Sequence, residues 1–221
     1  MIIALGHKAG VGKDTVAKII QYLLAKEKVK QDFVQRSILN QGYEAYDYTK
    51  LSGWEIKKFA DPIKDTICLW LGCSRKDLED REFKNKELWD GMTPRILMQL
   101  LGTECGRQII NPDIWVNILF KDYVKTTGHQ RREGNITYTE EDYPNWIITD
   151  LRFPNEAKAI KRRGGVLVIV NRDIESDTPK HESENALDGF IEWDYIIDNN
   201  GTEEELVESV KGILTDLKLI N

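Results

Sequence analysis

Gly6-His7-Lys8-Ala9-Gly10-Val11-Gly12-Lys13-Asp14-Thr15 is the stretch on which the fold of this chain turns. Before it lies a short apolar run, residues 2–5. After it, over residues 13–26, Val16, Ile19, Ile20, Leu23 and Leu24 recur at the spacing of one helix face. Strand, glycine-rich turn and helix in that order are the context a phosphate-binding loop requires. The glycines let successive backbone amides turn toward one anion, the helix amino terminus adds partial positive charge, and Lys13 supplies a point charge for the β and γ phosphates. The strict loop pattern puts its first glycine at residue 7 and a serine or threonine directly after the lysine. His7 and Asp14 hold those places here, with Gly6 one residue early and Thr15 one residue late. Either Asp14 holds the metal through water or Thr15 takes a phosphate oxygen, and both Asp14 and Thr15 are candidates for serving magnesium. His7 is either a ligand contact or an exposed loop residue.

Outward from this loop, a second strand is expected over residues 54–60, with Pro62 in the first turn of a helix running through residue 71. Residues 73–91 are crowded with charge and read as a solvated helical connection. Thr93-Pro94 and Asn111-Pro112 both have the form of a helix start, so two helices joined by a short turn are expected between residues 93 and 125. The polar stretches 28–53 and 124–145 show no clean period and are expected as a surface excursion and a mobile loop or insertion. A strand at 146–149, a helix at 154–163 stopped by Gly164 and Gly165, and a strand at 166–170 follow. That β-α-β order implies parallel pairing with a crossover. After a last strand at 195–197, Thr202 and Glu205 form a capping box for a final helix whose apolar stripe is Leu206, Val207, Val210, Ile213, Leu214 and Leu217.

With 221 residues, 41% hydrophobic and 31% charged, the chain can fill one sizeable core, and a single domain over 1–221 with insertions is expected. Its 37 acidic and 31 basic residues give a net charge of -6, which argues against a surface that coats a polyanion and so against a stable nucleic-acid partner. Cys68, Cys73 and Cys105 are too few and too irregular for a disulfide framework or a paired zinc site. A reducing cytoplasm is the simplest compartment. The four-residue apolar run after Met1 fails as a signal peptide, and no segment approaches the roughly 20 apolar residues of a membrane span.

Further candidates for chemistry lie at the ends of the expected strands, where open parallel sheets bind ligands. Asp150 suits a magnesium-water ligand or a substrate hydrogen bond and Arg152 suits a phosphate, the alternative being a strand-end ion pair. Glu156, about one turn into the next helix, can meet the same cleft. Lys64, in Asp61-Pro62-Ile63-Lys64-Asp65, is a plausible acceptor-phosphate contact, and Arg95 and Arg107 are further candidates. Trp115 shares a helical face with Ile114, Ile118 and Leu119, which is the pattern of a core anchor.

The segments LGHKAGVGKDTVAKI, FADPIKD, TPRILMQLLGTECGRQIINPDIWVNILF and WIITDLRFPNEAKAIKRRGG, in this order, resemble the bacteriophage-type deoxynucleoside monophosphate kinases. The resemblance runs from residue 1 to about 214, with gaps at the two polar stretches. It implies an α/β P-loop kinase fold, an open parallel five-stranded sheet flanked by helices with helical and loop insertions, that moves the γ-phosphate of ATP to a deoxynucleotide with magnesium. It places ATP on Gly10, Gly12, Lys13, Asp14 and Thr15. It places the deoxynucleotide among Ile63, Lys64, Arg95, Trp115, Asp150, Arg152 and Glu156, with Lys13, Arg95, Asp150 and Arg152 as the catalytic set. Trp115 would then edge the deoxyribose. The lysine followed by Asp14 and Thr15 is itself family-like, and Arg131, Arg132, Arg162 and Arg163 compete for the role of lid arginine. Two rival readings stay open: a P-loop kinase for another small acceptor, of the dephospho-coenzyme A kinase kind, and a non-catalytic nucleotide-gated switch. The oligomeric state, a homodimer included, is also open.

Overall fold

A computed structural model describes residues 1–28, 42–44, 46–133, 136–173 and 185–221, the side chains of residues 127–141 excepted. Its strands are Ile2–Gly6 (β1), Trp54–Lys57 (β2), Thr126–Glu133 (β3), Ile136–Asp142 (β4), Asn145–Leu151 (β5), Val166–Asn171 (β6) and Tyr195–Asp198 (β7). The helices are Lys13–Lys28 (α1), Thr49–Ser52 (α2), Asp61–Leu71 (α3), Arg75–Glu79 (α4), Arg81–Asn85 (α5), Pro94–Gln99 (α6), Ile114–Phe120 (α7), Pro154–Lys161 (α8) and Glu203–Asp216 (α9), with a π-helix at Leu100–Ile110. The chain divides into two compact units, Met1–Lys57 with Tyr123–Asn221, and Lys58–Asp122.

In the first unit β2-β5-β1-β6-β7 form an open sheet whose pairs are all parallel. The central strand β1 is buried at every residue, as a strand covered on both faces must be, and this is why Ile2 to Leu5 read as an unbroken apolar run. Ile3 and Leu5 face α1 and α9, meeting Val16, Ile19, Ile20 and Leu23 of the one and Leu206, Val210 and Leu214 of the other. Ile2 lies toward the opposite face. There α8 returns to the sheet so closely that a Cβ on Gly165 would come 3.1 Å from Ile2 Cβ. Thr202 and Glu205 cap α9 reciprocally, as the sequence implies.

Three expectations need correction. Within 124–145, expected as a mobile loop or insertion, β3 and β4 pair antiparallel in the register Arg131↔Tyr138 and Glu133↔Ile136, so the stretch is a two-stranded insertion and not a loop. A polar ribbon lacks the apolar alternation that marks a strand, leaving only its threonines and tyrosine as a signal. The described part of 28–53 is not merely a surface excursion: Tyr48 is buried, donates its hydroxyl to Gly42 O (2.8 Å) and packs edge-on to Tyr22 of α1. Residues 29–41 and 45 of that stretch lie outside the described residues. Finally, Asn111-Pro112 does not open a helix. Asn111 Oδ1 accepts from Asp113 N (2.8 Å) in an Asx turn, and α7 starts at Ile114.

In the second unit, Thr93 caps α6 through its side chain and Pro94 occupies the first turn, as expected. The helix then widens into the π-helix, ending with Asn111 N bonded to Gly106 O (2.9 Å). The indole of Trp115 fits against this widened turn. Its Nε1 donates to Gly102 O at 2.7 Å, and a Cβ on Gly106 would lie 2.8 Å from its ring. The charged connection 73–91 contains α4 and α5, capped by Ser74 and Asp80.

Candidate active site

The phosphate loop joins β1 to α1, whose first ladder bond runs from Val16 N to Gly12 O (3.0 Å). Helix geometry leaves first-turn amides outside the ladder, so this end of α1 faces the loop with partial positive charge. Left-handed φ values recur along the loop: +100° at His7, +81° at Gly10 and +95° at Gly12. His7 therefore adopts the glycine-type conformation at the place the pattern reserves for glycine. Gly6 cannot exchange places with it, because a Cβ on Gly6 would overlap the ring of Trp193. The one-residue displacement of the first glycine thus has a steric cause.

Lys13 is buried, and its ammonium donates to His7 O (3.1 Å) and Lys8 O, tying the loop across its width. Burial first, then the charges of Lys8 and Lys13, hold the His7 imidazole below its ordinary pKa, against the opposing pull of the Val170 carbonyl and Asp188. Nδ1 of His7 is buried with no hydrogen-bond partner among the described residues. Asp14 is exposed and Thr15 half-buried on the first turn of α1.

Strand β5 brings the second cluster alongside. The β1–β5 register passes from Ala4↔Ile148 to Gly6↔Leu151, so β5 carries one extra residue in a bulge at Thr149-Asp150. Bulges of this kind re-aim side chains at sheet ends. Asp150 and Arg152 flank Leu151, the partner of Gly6, and so stand at the same end of the sheet as the phosphate loop. Thr149 Oγ1 is a second buried polar atom here with no partner among the described residues. Glu156 is buried rather than open to a cleft, and its Oε2 accepts from Arg152 N (2.8 Å) and Phe153 N (3.0 Å). It thereby fixes the turn that carries Arg152.

The remaining candidates belong to the second unit. Ile63 is buried on α3, and Lys64, on the same helix, pairs with Glu79. Arg95 is exposed on α6, with Nε donating to Asn85 Oδ1 (2.9 Å). Lys84 lies within electrostatic reach of Lys64, Arg95 and Glu79. Trp115 is 5% exposed, its one polar atom already bonded to Gly102 O. Arg107 reaches the Pro112 carbonyl at 3.4 Å. Of the lid candidates, Arg162 and Arg163 are exposed, and the side chains of Arg131 and Arg132 lie outside the described residues.

Sequence reading missed Asn199. Its Nδ2 donates to Val11 O (2.8 Å), 188 residues away, and a Cβ on Gly12 would overlap the same nitrogen. The only sequence signal was the Asn199-Asn200-Gly201 turn after β7, which marks a strand end and nothing about the phosphate loop.

Comparison with known proteins adds an independent line. Residues 74–210, more than half of the chain and wholly outside the phosphate loop, match the family described as deoxynucleotide monophosphate kinase. The chain is 29% identical over 175 residues to a protein of Acanthamoeba polyphaga mimivirus named "Putative deoxynucleotide monophosphate kinase", covering 76% of this chain and 87% of that one. It is 25% identical over 194 residues to the deoxynucleoside-5'-monophosphate kinase of Escherichia phage T5, covering 73% of this chain and 72% of that protein. To the deoxynucleotide monophosphate kinase of Escherichia phage RB69 it is 28% identical over 125 residues, covering 57% and 46% respectively. Among the described residues no helix is long and apolar enough to cross a membrane.

Proposed function

The chain belongs to the deoxynucleotide monophosphate kinase family, and from that premise we propose that it moves the γ-phosphate of magnesium-bound ATP to a deoxynucleoside monophosphate, releasing the deoxynucleoside diphosphate and ADP. It is a phosphotransferase whose acceptor is itself a phosphate group. The observation that carries the reading is the loop conformation: left-handed backbone at His7, Gly10 and Gly12, closed by a buried Lys13, at the head of α1. This lies outside the residues of the family match, so the two lines of support do not share evidence.

The residues suit the groups implied. Gly10, Gly12, Lys13, Asp14 and Thr15 would hold the triphosphate, and the orphaned polar atoms of His7 and Thr149 favour a polar ligand at this sheet end. Among the described residues no three His, Cys, Asp or Glu side chains are grouped to hold a metal by themselves. Magnesium commonly takes one or two carboxylates beside substrate phosphates and water, and Asp14 and Asp150 are the carboxylates we assign to it. When bound, the ion neutralises charge on the transferring phosphate.

Phosphoryl transfer asks little covalent work of the protein. The attacking oxygen belongs to an acceptor phosphate that is already anionic, so no strong base is needed. Within the first unit Lys13 and Arg152 supply positive charge, and Glu156 acts through Arg152 by holding its backbone. Ile63, Lys64 and Arg95 are assigned to the deoxynucleotide, while the surroundings of Trp115 favour a supporting role within the second unit. The test is to mix the protein with Mg-ATP and each common mononucleotide and to assay ADP and the matching diphosphate. Asp150→Asn should shift the magnesium dependence and Arg152→Ala should raise KM for the acceptor. Normal kinetics in both variants at limiting substrate would reduce the pair to a structural feature of the strand end.

A further inference from the structure

Asn199 follows β7 and is remote in sequence from every residue assigned above, yet it is built into the phosphate loop. Its backbone N donates to Asn171 O at 2.7 Å, which anchors it to the end of β6. From there its side-chain amide reaches Val11 O at 2.8 Å. Val11 is itself 1% exposed and part of the core, so the peptide that Asn199 grips is held from both sides. The space beside Gly12 is filled by the Asn199 amide nitrogen, which together with φ of +95° accounts for glycine at that position.

The consequence follows from peptide geometry. In a planar trans peptide the carbonyl and the next N–H point in opposite directions. A donor that fixes Val11 O toward Asn199 therefore fixes the Gly12 N–H away from it. Phosphate loops bind anions through such amides, and an amide held in one orientation before the ligand arrives loses less freedom on binding. We infer that Asn199 is a positioning residue of the donor-nucleotide site, which sets the orientation of the Val11-Gly12 peptide so that the Gly12 amide is presented to a nucleoside di- or triphosphate. This rests on the assignment of the loop to ATP.

Calorimetric titration of ADP, beside steady-state kinetics and melting curves, tests it in Asn199→Ala and in the isosteric Asn199→Asp. Asn199→Ala removes one buried donor and should weaken ADP about fivefold to tenfold, with a similar rise in KM for ATP. KM for the deoxynucleotide should stay within about twofold. Asn199→Asp keeps the shape but sets a carboxylate against the Val11 carbonyl, and should weaken ADP further, on the order of fiftyfold. Because it preserves packing, it carries the test if Asn199→Ala fails to fold. Gly12→Ala should lose less affinity in the Asn199→Ala background than alone, since the overlap is relieved. Folded variants with wild-type ADP affinity, or strict additivity of Gly12→Ala and Asn199→Ala, would overturn the inference and leave the kinase reading intact. A wild-type protein that binds no ADP would overturn both.

Discussion

Replacing Trp115 by phenylalanine separates two roles that its sequence context allows, and the structure sets the size of the effect. The indole donates to Gly102 O at 2.7 Å in a buried setting, so the substitution removes one buried hydrogen bond at a net cost of about 0.5–1.5 kcal/mol, while Gly102 stays within the π-helix ladder. The smaller ring also leaves roughly 40 Å³ unfilled above Gly106, which at about 24 cal/mol per Å³ adds about 1 kcal/mol. The sum is about 2 kcal/mol, and at about 2–4 °C per kcal/mol for a chain of this size the melting temperature should fall by about 4–8 °C. Thermal unfolding followed by circular dichroism measures this directly. Catalytic efficiencies for a deoxynucleotide and the matching ribonucleotide should fall together, leaving their ratio within about twofold. An unchanged melting temperature with a narrowed ratio would refute the core role and put the ring at the sugar. In that case an apolar wall would be rejecting the added hydroxyl, an effect worth about a hundredfold at most.

Other outcomes follow from the same interactions. His7→Gly should raise the melting temperature at pH 7 by a few degrees, because relief of the +100° φ, worth about 1–3 kcal/mol, exceeds the glycine entropy cost of about 0.5–1 kcal/mol. The His7 pKa is depressed in the folded state, so the stability linked to its neutral form is present above the unfolded value and lost as pH falls through the folded one. Wild type should therefore lose more melting temperature between pH 7 and pH 5 than His7→Gly, and equal losses would contradict the half-buried, neutral imidazole. Glu156→Gln keeps an oxygen for the Arg152 and Phe153 amides and should leave KM for the acceptor within about threefold, whereas Glu156→Ala should lower the melting temperature and raise that KM on the order of tenfold. A large KM rise in Glu156→Gln alone would instead mean that the charge itself meets the substrate.

How far the sequence discloses such detail depends on whether an interaction is local. The β1-loop-α1 unit and the α9 capping box were legible because glycine, lysine and cap residues act within a few positions of one another. The parallel order of β5, α8 and β6 was legible from its punctuation by Pro154, Gly164 and Gly165. The π-helix was not, since its widened turn depends on the bond from Trp115 to Gly102 and on the absence of a Cβ at Gly106. An apolar stripe does not distinguish a period of 3.6 from a slightly wider one. The β3–β4 hairpin escaped because its sequence lacks an apolar alternation, and Tyr48 because its partner Tyr22 lies on α1. At the candidate site the sequence singles out the phosphate loop and the strand-end residues, but two features of their surroundings were not legible. Glu156 serves the backbone of Arg152, and Asn199 reaches the loop from the far end of the chain.

Phosphoryl transfer itself is measured with γ-labelled ATP, wild type and Lys13→Met being compared in the presence of magnesium and a deoxynucleoside monophosphate. Label is expected in the deoxynucleoside diphosphate for wild type, and for a folded Lys13→Met variant a turnover lower by on the order of a hundredfold to a thousandfold. Label that reaches no mononucleotide, or wild-type turnover in Lys13→Met, would contradict the kinase assignment.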